Sequence, residues 1–121
     1  MTTMIDKAVP GFDELYTQIG EGVRNFKVIK SLSIVRHNDE DAYDCVVVLV
    51  DNSRESTNII LRCRDISKII TNLVGTKRLY ISGLQVFNIK SKGMEDQEWE
   101  ISDYEDGNIM ILCREVSVSI K

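Results

Sequence analysis

CVVVLVDNSRESTNIILRC, residues 45–63, contains two apolar runs separated by a short polar segment. The first run, CVVVLV at 45–50, places apolar side chains on both faces of a strand, which is typical of a central strand covered on both sides. TNIILRC at 57–63 is predicted to be the next strand, and DNSRES at 51–56 the turn between them. Because the connection is so short, we expect these two strands to pair antiparallel.

On the N-terminal side of this pair, apolar residues recur with helical spacing between residues 11 and 20. Side chains at positions i, i+3, i+4 and i+7 form one apolar face, and these are Phe12, Leu15, Tyr16 and Ile19. Pro10 is favourable at a helix entrance and Gly20 at a helix end, so we predict a helix over about 11–20. The segment 26–36 alternates with period two, except at Lys30, and is predicted to be a strand.

On the C-terminal side, the period changes again in RDISKIITNLVG at 64–75. Its apolar residues are spaced as on a helix, and they are Ile66, Ile69, Ile70 and Leu73. This spacing predicts a short second helix with Asp65 as N-cap and Gly75 after its end. RLYISGLQVFNIK at 78–90 is predicted to be a long strand, in which Gly83 marks a bulge or a close approach of another backbone.

The last part of the chain predicts a β-hairpin. WEISDY at 99–104 and IMILCREVSVSI at 109–120 are predicted strands, joined by an Asp-Gly turn within EDGN. Together the elements predict an α+β fold: a predominantly antiparallel, strongly curved sheet or partly open barrel of about six strands, with an N-terminal helix and one short helix. A chain of 121 residues is typical of a single domain, so we assign residues 1–121 to one domain.

Composition bears on partners and location. The formal net charge is −4 and the pI is near 5.0, which argues against nucleic acid or an anionic membrane as a partner, since both require clustered Lys and Arg. Cys45, Cys63 and Cys113 cannot all pair and none forms a CxxC motif, which favours a reducing compartment. No signal-peptide pattern and no membrane-length apolar run is present, so we expect a cytoplasmic protein.

The residue inventory offers little for catalysis. His37 is the only histidine, and the GxSxG, GxGxxG and P-loop motifs are absent. The cysteines and the histidine lack the spacing of a zinc site. Placing Gly107 at the sixth position of an EF-hand loop puts Ser102 first and Cys113 twelfth, and neither is a calcium-binding carboxylate. We therefore expect no enzymatic activity, metal or cofactor, and a two-carboxylate enzyme or an irregular divalent-cation site are the weaker alternatives.

EDQEWEISDYEDG, residues 95–107, crowds acidic side chains around Trp99, the only tryptophan. In a strand here Trp99 faces the core, while Glu98 and Glu100 face outward. The acids either protect an edge strand from aggregation or form a platform for a basic partner, which HNDEDAYD at 37–44 would extend if it folds nearby. The residues predicted to bind a partner are Glu95, Asp96, Glu98, Glu100, Tyr104, Asp106, Asp39, Glu40 and Asp41.

Residues 78–120 resemble the C-terminal parts of small bacterial immunity proteins of polymorphic-toxin and contact-dependent growth inhibition systems. The matching features are the ISGLQV strand, the pair Trp99 and Glu100, DYED at 103–106, and the apolar run that ends at Cys113. The resemblance implies a cytoplasmic antitoxin that binds and neutralises a cognate toxin with a basic surface, with a nuclease as the expected class. We expect a monomer or weak homodimer, and the alternative function is a small-ligand binding module with its pocket in the curved sheet.

Overall fold

The computed structural model describes residues 2–36, 42–54, 56–72, 78–90, 98–103, 105 and 107–121. Within these ranges the chain forms a mostly β structure with one α-helix and one 3-10 helix. The elements are β1 Met4–Ile5, α1 Phe12–Ile19, a 3-10 helix Gly20–Asn25, β2 Val28–Arg36, β3 Tyr43–Val50, β4 Asn58–Thr71, β5 Leu79–Tyr80, β6 Gln85–Asn88, β7 Trp99–Ser102 and β8 Ile109–Ile120. The predicted helix at 11–20 and the α+β class are confirmed.

All the strands belong to one sheet in the order β1-β6-β7-β8-β4-β3-β2-β5. Neighbouring strands pair antiparallel, except for β1 and β6, which are parallel. The sheet is strongly curled into an open half-barrel, as the sequence predicts. It has eight strands in the described ranges, however, and the prediction of about six is wrong. The two additional strands are β1, which at two residues is too short to show a period, and β5, which the single strand predicted at 78–90 includes.

The core fills the concave side of the sheet. Cys45, Val47 and Leu49 of β3 are fully buried, whereas Val46 and Val48 on the other face of the strand are only half-buried. The prediction of a strand covered on both sides is therefore wrong for the outer face. Buried side chains of β4 and β8, such as Leu61 and Ile111, continue the core along the concave face. Burying this much apolar surface is the main stabilising contribution to the fold.

Helix α1 packs against one end of the sheet. Leu15 points inward and is 1% exposed, and the backbone N–H of Val118 donates a 2.9 Å hydrogen bond to the carbonyl oxygen of Pro10. Gly11 has a φ of 92°, and a Cβ on this residue would collide with the Val118 carbonyl group. Only glycine therefore fits where the chain turns into the helix against β8.

The second helix predicted at about 66–73 is absent from the described residues, because β4 runs through Asn58–Thr71 and pairs with β8 over most of its length. Two irregularities interrupt the alternation of this strand. Asp65 has a φ of 53°, and the register with β8 shifts between Ile66 and Lys68. Each irregularity changes which side chains face the core, as β-bulges do. Residues 73–77, the predicted end of the helix, lie outside the described ranges.

The long strand predicted at 78–90 is two short strands, β5 and β6, separated by residues 81–84. Gly83 marks a close approach of another backbone, as predicted, because a Cβ here would lie 2.6 Å from the Thr2 carbonyl oxygen. Beside it the buried hydroxyl of Thr3 donates to the Phe26 carbonyl oxygen at 2.7 Å and accepts from the Leu84 N–H at 3.0 Å. These contacts attach the N-terminal segment to the edge of the sheet.

Candidate functional site

Two acidic segments of the chain connect strands at the same end of the sheet. Strands β2, β4 and β7 run in one direction, because β2 and β4 are both antiparallel to β3, and β4 and β7 are both antiparallel to β8. The β2–β3 connection, 37–42, and the β7–β8 connection, 103–108, therefore both follow strands that run in this direction. We call this the open end; α1 packs near the opposite end, against β8.

Apolar side chains are unusually exposed at the open end. Ile34 is 50% exposed and Tyr43 is 46% exposed, and both face the same side of the sheet as the buried Cys45. With Ile66 and Ile69 of β4 they line a depression of about 270 Å³. Large exposed apolar patches rimmed by polar residues mark interaction sites.

Of the residues predicted to bind a partner, only Glu98 and Glu100 lie in the described ranges, and both are half-buried. Glu100 accepts a 2.9 Å hydrogen bond from the Ser102 hydroxyl and lies between Phe87 of β6 and Leu112 of β8. The remaining predicted residues lie outside the described ranges, and they are Asp39, Glu40, Asp41, Glu95, Asp96, Tyr104 and Asp106. Trp99, 6% exposed, faces inward as expected.

Glu98 does not lie on a uniformly acidic surface. It lines a notch of about 430 Å³ together with three arginines, Arg62, Arg64 and Arg114. The Lys90 ammonium group is 3.9 Å from the Glu98 carboxylate. Sequence reasoning missed these arginines as a group, although the two-residue spacing of Arg62 and Arg64 indicates one face of a strand.

The three cysteines converge in the core rather than at the surface. Cys45 and Cys63 are register partners on β3 and β4, and all three thiols, including that of Cys113 on β8, are buried. Burial raises the pKa of Cys45 to about 12, with a smaller contribution from Cys113. A hydrogen bond with Cys113, and then burial, raise the pKa of the Cys63 thiol. Thiols held protonated are poor nucleophiles, so this cluster serves packing rather than catalysis.

Two further observations bear on the functional class. Across the described ranges, His, Cys, Asp and Glu side chains form no group of three or more that could hold a metal ion. In the same part of the chain, no helix has the length and apolar character needed to cross a membrane. His37 and the segment around it lie outside the described ranges.

No protein-family model, curated protein or solved structure matches this chain.

Proposed function

We propose that this chain is an immunity-type protein of the cytoplasm, which neutralises a cationic protein toxin by binding it at the open end and without catalysis. Two observations carry the proposal: both acidic connections follow strands that run in the same direction, and Ile34 and Tyr43, beside the first of these connections, are exposed. Apolar residues at the centre and charged residues at the rim are the usual anatomy of a protein–protein interface.

The acidic residues of the two connections favour a cationic partner. HNDED at 37–41 and the pair Glu105 and Asp106 place acidic residues in the connections that follow β2 and β7. A cluster of negatively charged carboxylates raises the association rate with a cationic protein by about ten- to a thousand-fold at low salt. A nuclease fits this requirement, because its active site is built to hold phosphates and is basic. The resemblance of residues 78–120 to immunity proteins favours the same class of partner.

The exposed apolar side chains are expected to contribute binding energy that does not depend on salt concentration. Tyr43 and Ile34 stand on neighbouring strands beside the 270 Å³ depression, which is of a size to receive one side chain of a partner. Aromatic anchors in such positions contribute much of the binding energy of protein interfaces. The acids are expected to determine the association rate and Tyr43 the dissociation rate.

The test uses the protein encoded in the reading frame next to this one as the candidate toxin. Its expression alone should stop growth, and co-expression of this chain should restore growth. With purified proteins, replacement of Asp39, Glu40 and Asp41 by Lys should slow association by about ten-fold or more at low salt and flatten its salt dependence. Tyr43→Ala should accelerate dissociation while leaving the association rate nearly unchanged.

A matched control reverses acids at the other end of the molecule. Asp13→Lys, Glu14→Lys and Glu21→Lys make the same change of net charge on α1 and the 3-10 helix, outside the proposed surface. This control should change the association rate much less than reversal of the acids at 39–41. Equal rates for all variants at low salt would exclude docking through the acidic open end, and failure to restore growth would contradict the immunity function of this chain.

A further inference from the structure

Three arginines from two neighbouring strands surround the notch that Glu98 lines. Arg62 and Arg64 are two residues apart on β4 and so project from the same face, and Arg114 lies on β8 beside them. All three side chains are exposed. The notch measures about 430 Å³, and its other walls include Trp99, Ser117 and Pro10. Among the residues that the structure describes, the notch shares no lining residue with the depression at the open end.

Positive side chains are concentrated in the notch. Among the described residues, its lining holds Arg62, Arg64 and Arg114 together with the two carboxylates of Glu98 and Glu115, in a chain whose net charge is −4. Arg114 already has an interaction partner. Arg64 and Glu115 are register partners on β4 and β8. Yet within the described ranges no carboxylate lies in ion-pair distance of Arg62 or Arg64. Like charges held close together on a sheet face are destabilising unless a counter-charge is supplied.

A guanidinium group offers a planar fork of N–H donors that matches two oxygens of a phosphate or carboxylate. Two such forks on one strand face suit a ligand with more than one anionic group. The volume of the notch lies within the range of small-molecule sites, about 300–1,000 Å³. The Ser117 hydroxyl, on the residue opposite Arg62, adds a neutral donor to the wall.

We propose that this notch binds a small oxyanion ligand with two or more negative charges, a phosphate compound or a polycarboxylate, held directly by Arg62 and Arg64. Arg114 and Ser117 complete the wall around the ligand, and the Glu115 carboxylate, opposite Arg64, partly offsets the repulsion between the guanidinium groups. This site is separate from the protein-binding surface at the open end and does not depend on it.

Trp99 provides a direct probe of the notch, because it is the only tryptophan of the chain and lines the wall. Intrinsic fluorescence is followed while pyrophosphate or citrate is added at constant ionic strength, with sodium chloride as the reference salt. A saturable change with a dissociation constant below about 10 mM is expected for at least one of them. Pyrophosphate alone would identify a phosphate ligand, and citrate alone a polycarboxylate.

The variant Arg62→Gln with Arg64→Gln should abolish the saturable change and the associated rise in melting temperature. The matched control, Arg24→Gln with Arg78→Gln, removes the same charge away from the notch and should titrate like the natural sequence. A melting curve of each ligand-free variant verifies that it is folded. Absence of saturation with both anions, or equal titration of the Arg62 and Arg64 variant, would overturn the proposal.

Discussion

The side chain of Asp103 closes the β7–β8 connection from inside. The Oδ1 of this side chain accepts a 3.0 Å hydrogen bond from the backbone N–H of Ile109. The backbone carbonyl oxygen of Asp103 accepts a second hydrogen bond, from the N–H of Gly107 at 2.9 Å. Asp103 is only 1% exposed, and among the described residues its Oδ2 has no hydrogen-bond partner. At least one carboxylate of the acidic segment therefore has a structural role and is not available to a partner.

Asp103→Ala should lower the free energy of unfolding by about 1–3 kcal/mol, because it leaves the buried N–H of Ile109 without an acceptor. Asp6 offers a matched control: its Oδ1 also accepts from a backbone N–H, that of Ala8 at 2.9 Å, but at an exposed position. Asp6→Ala should cost less, about 0.5 kcal/mol, since water replaces the lost acceptor. Urea unfolding measures both, and equal losses would contradict the structural role of Asp103.

Gly83→Ala should destabilise the protein by about 1–3 kcal/mol, because the added methyl group overlaps the Thr2 backbone and neither chain segment can move freely. Gly22→Ala is the control. Its Cβ would meet only the end of the Arg54 side chain, which can rotate away. Thermal unfolding should show a clear loss for Gly83→Ala and little change for Gly22→Ala. A melting temperature unaffected at both positions would mean that the N-terminal segment is not packed against residue 83.

The sequence predicts most strands correctly but mistakes the second half of β4 for a helix, and the reason is physical. The core side of this strand presents Cys63, Ile66 and Ile69, because Asp65 has a left-handed backbone conformation and the register with β8 shifts by one residue between Ile66 and Lys68. A strand with two such irregularities shows a spacing of three, which is close to the helical period. Pairing with β8 makes this segment a strand, and the periodicity of a single segment carries no information about which strand it pairs with.

The notch shows a similar limit for the candidate site. The acids around Trp99 are conspicuous in the sequence because they are contiguous, and they predict an acidic surface. The arginines that share the notch with Glu98 come from two strands that are far apart in sequence: Arg62 and Arg64 lie on β4, and Arg114 lies on β8. Strand alternation predicts that Arg62 and Arg64 share a face, but only the register of β4 with β8 brings Arg114 to them. The charge surrounding Glu98 therefore depends on the tertiary fold and cannot be predicted from the neighbouring sequence.

The thiols of Cys45, Cys63 and Cys113 should react slowly with a disulfide reagent at pH 8 in the folded protein. All three are buried, and the raised pKa of Cys45 and of Cys63 keeps those thiols protonated. Denaturation in urea should release three fast-reacting thiols per chain. A thiol that reacts at the denatured rate without urea would show that the core around β3, β4 and β8 opens readily.

Alkaline pH should destabilise the protein through the same cluster. In the unfolded chain Cys45 ionises near its ordinary pKa of 9.0, whereas in the folded chain burial keeps it protonated up to about pH 12. Between these values the unfolded state binds fewer protons, so the free energy of unfolding falls as pH rises, by at most about 1.4 kcal/mol per pH unit for this thiol. Cys45→Ala removes this titration but leaves the lysines and tyrosines unchanged. Urea unfolding from pH 8 to 11 should therefore give a shallower decline for Cys45→Ala, and parallel curves would show that Cys45 ionises normally in the folded state.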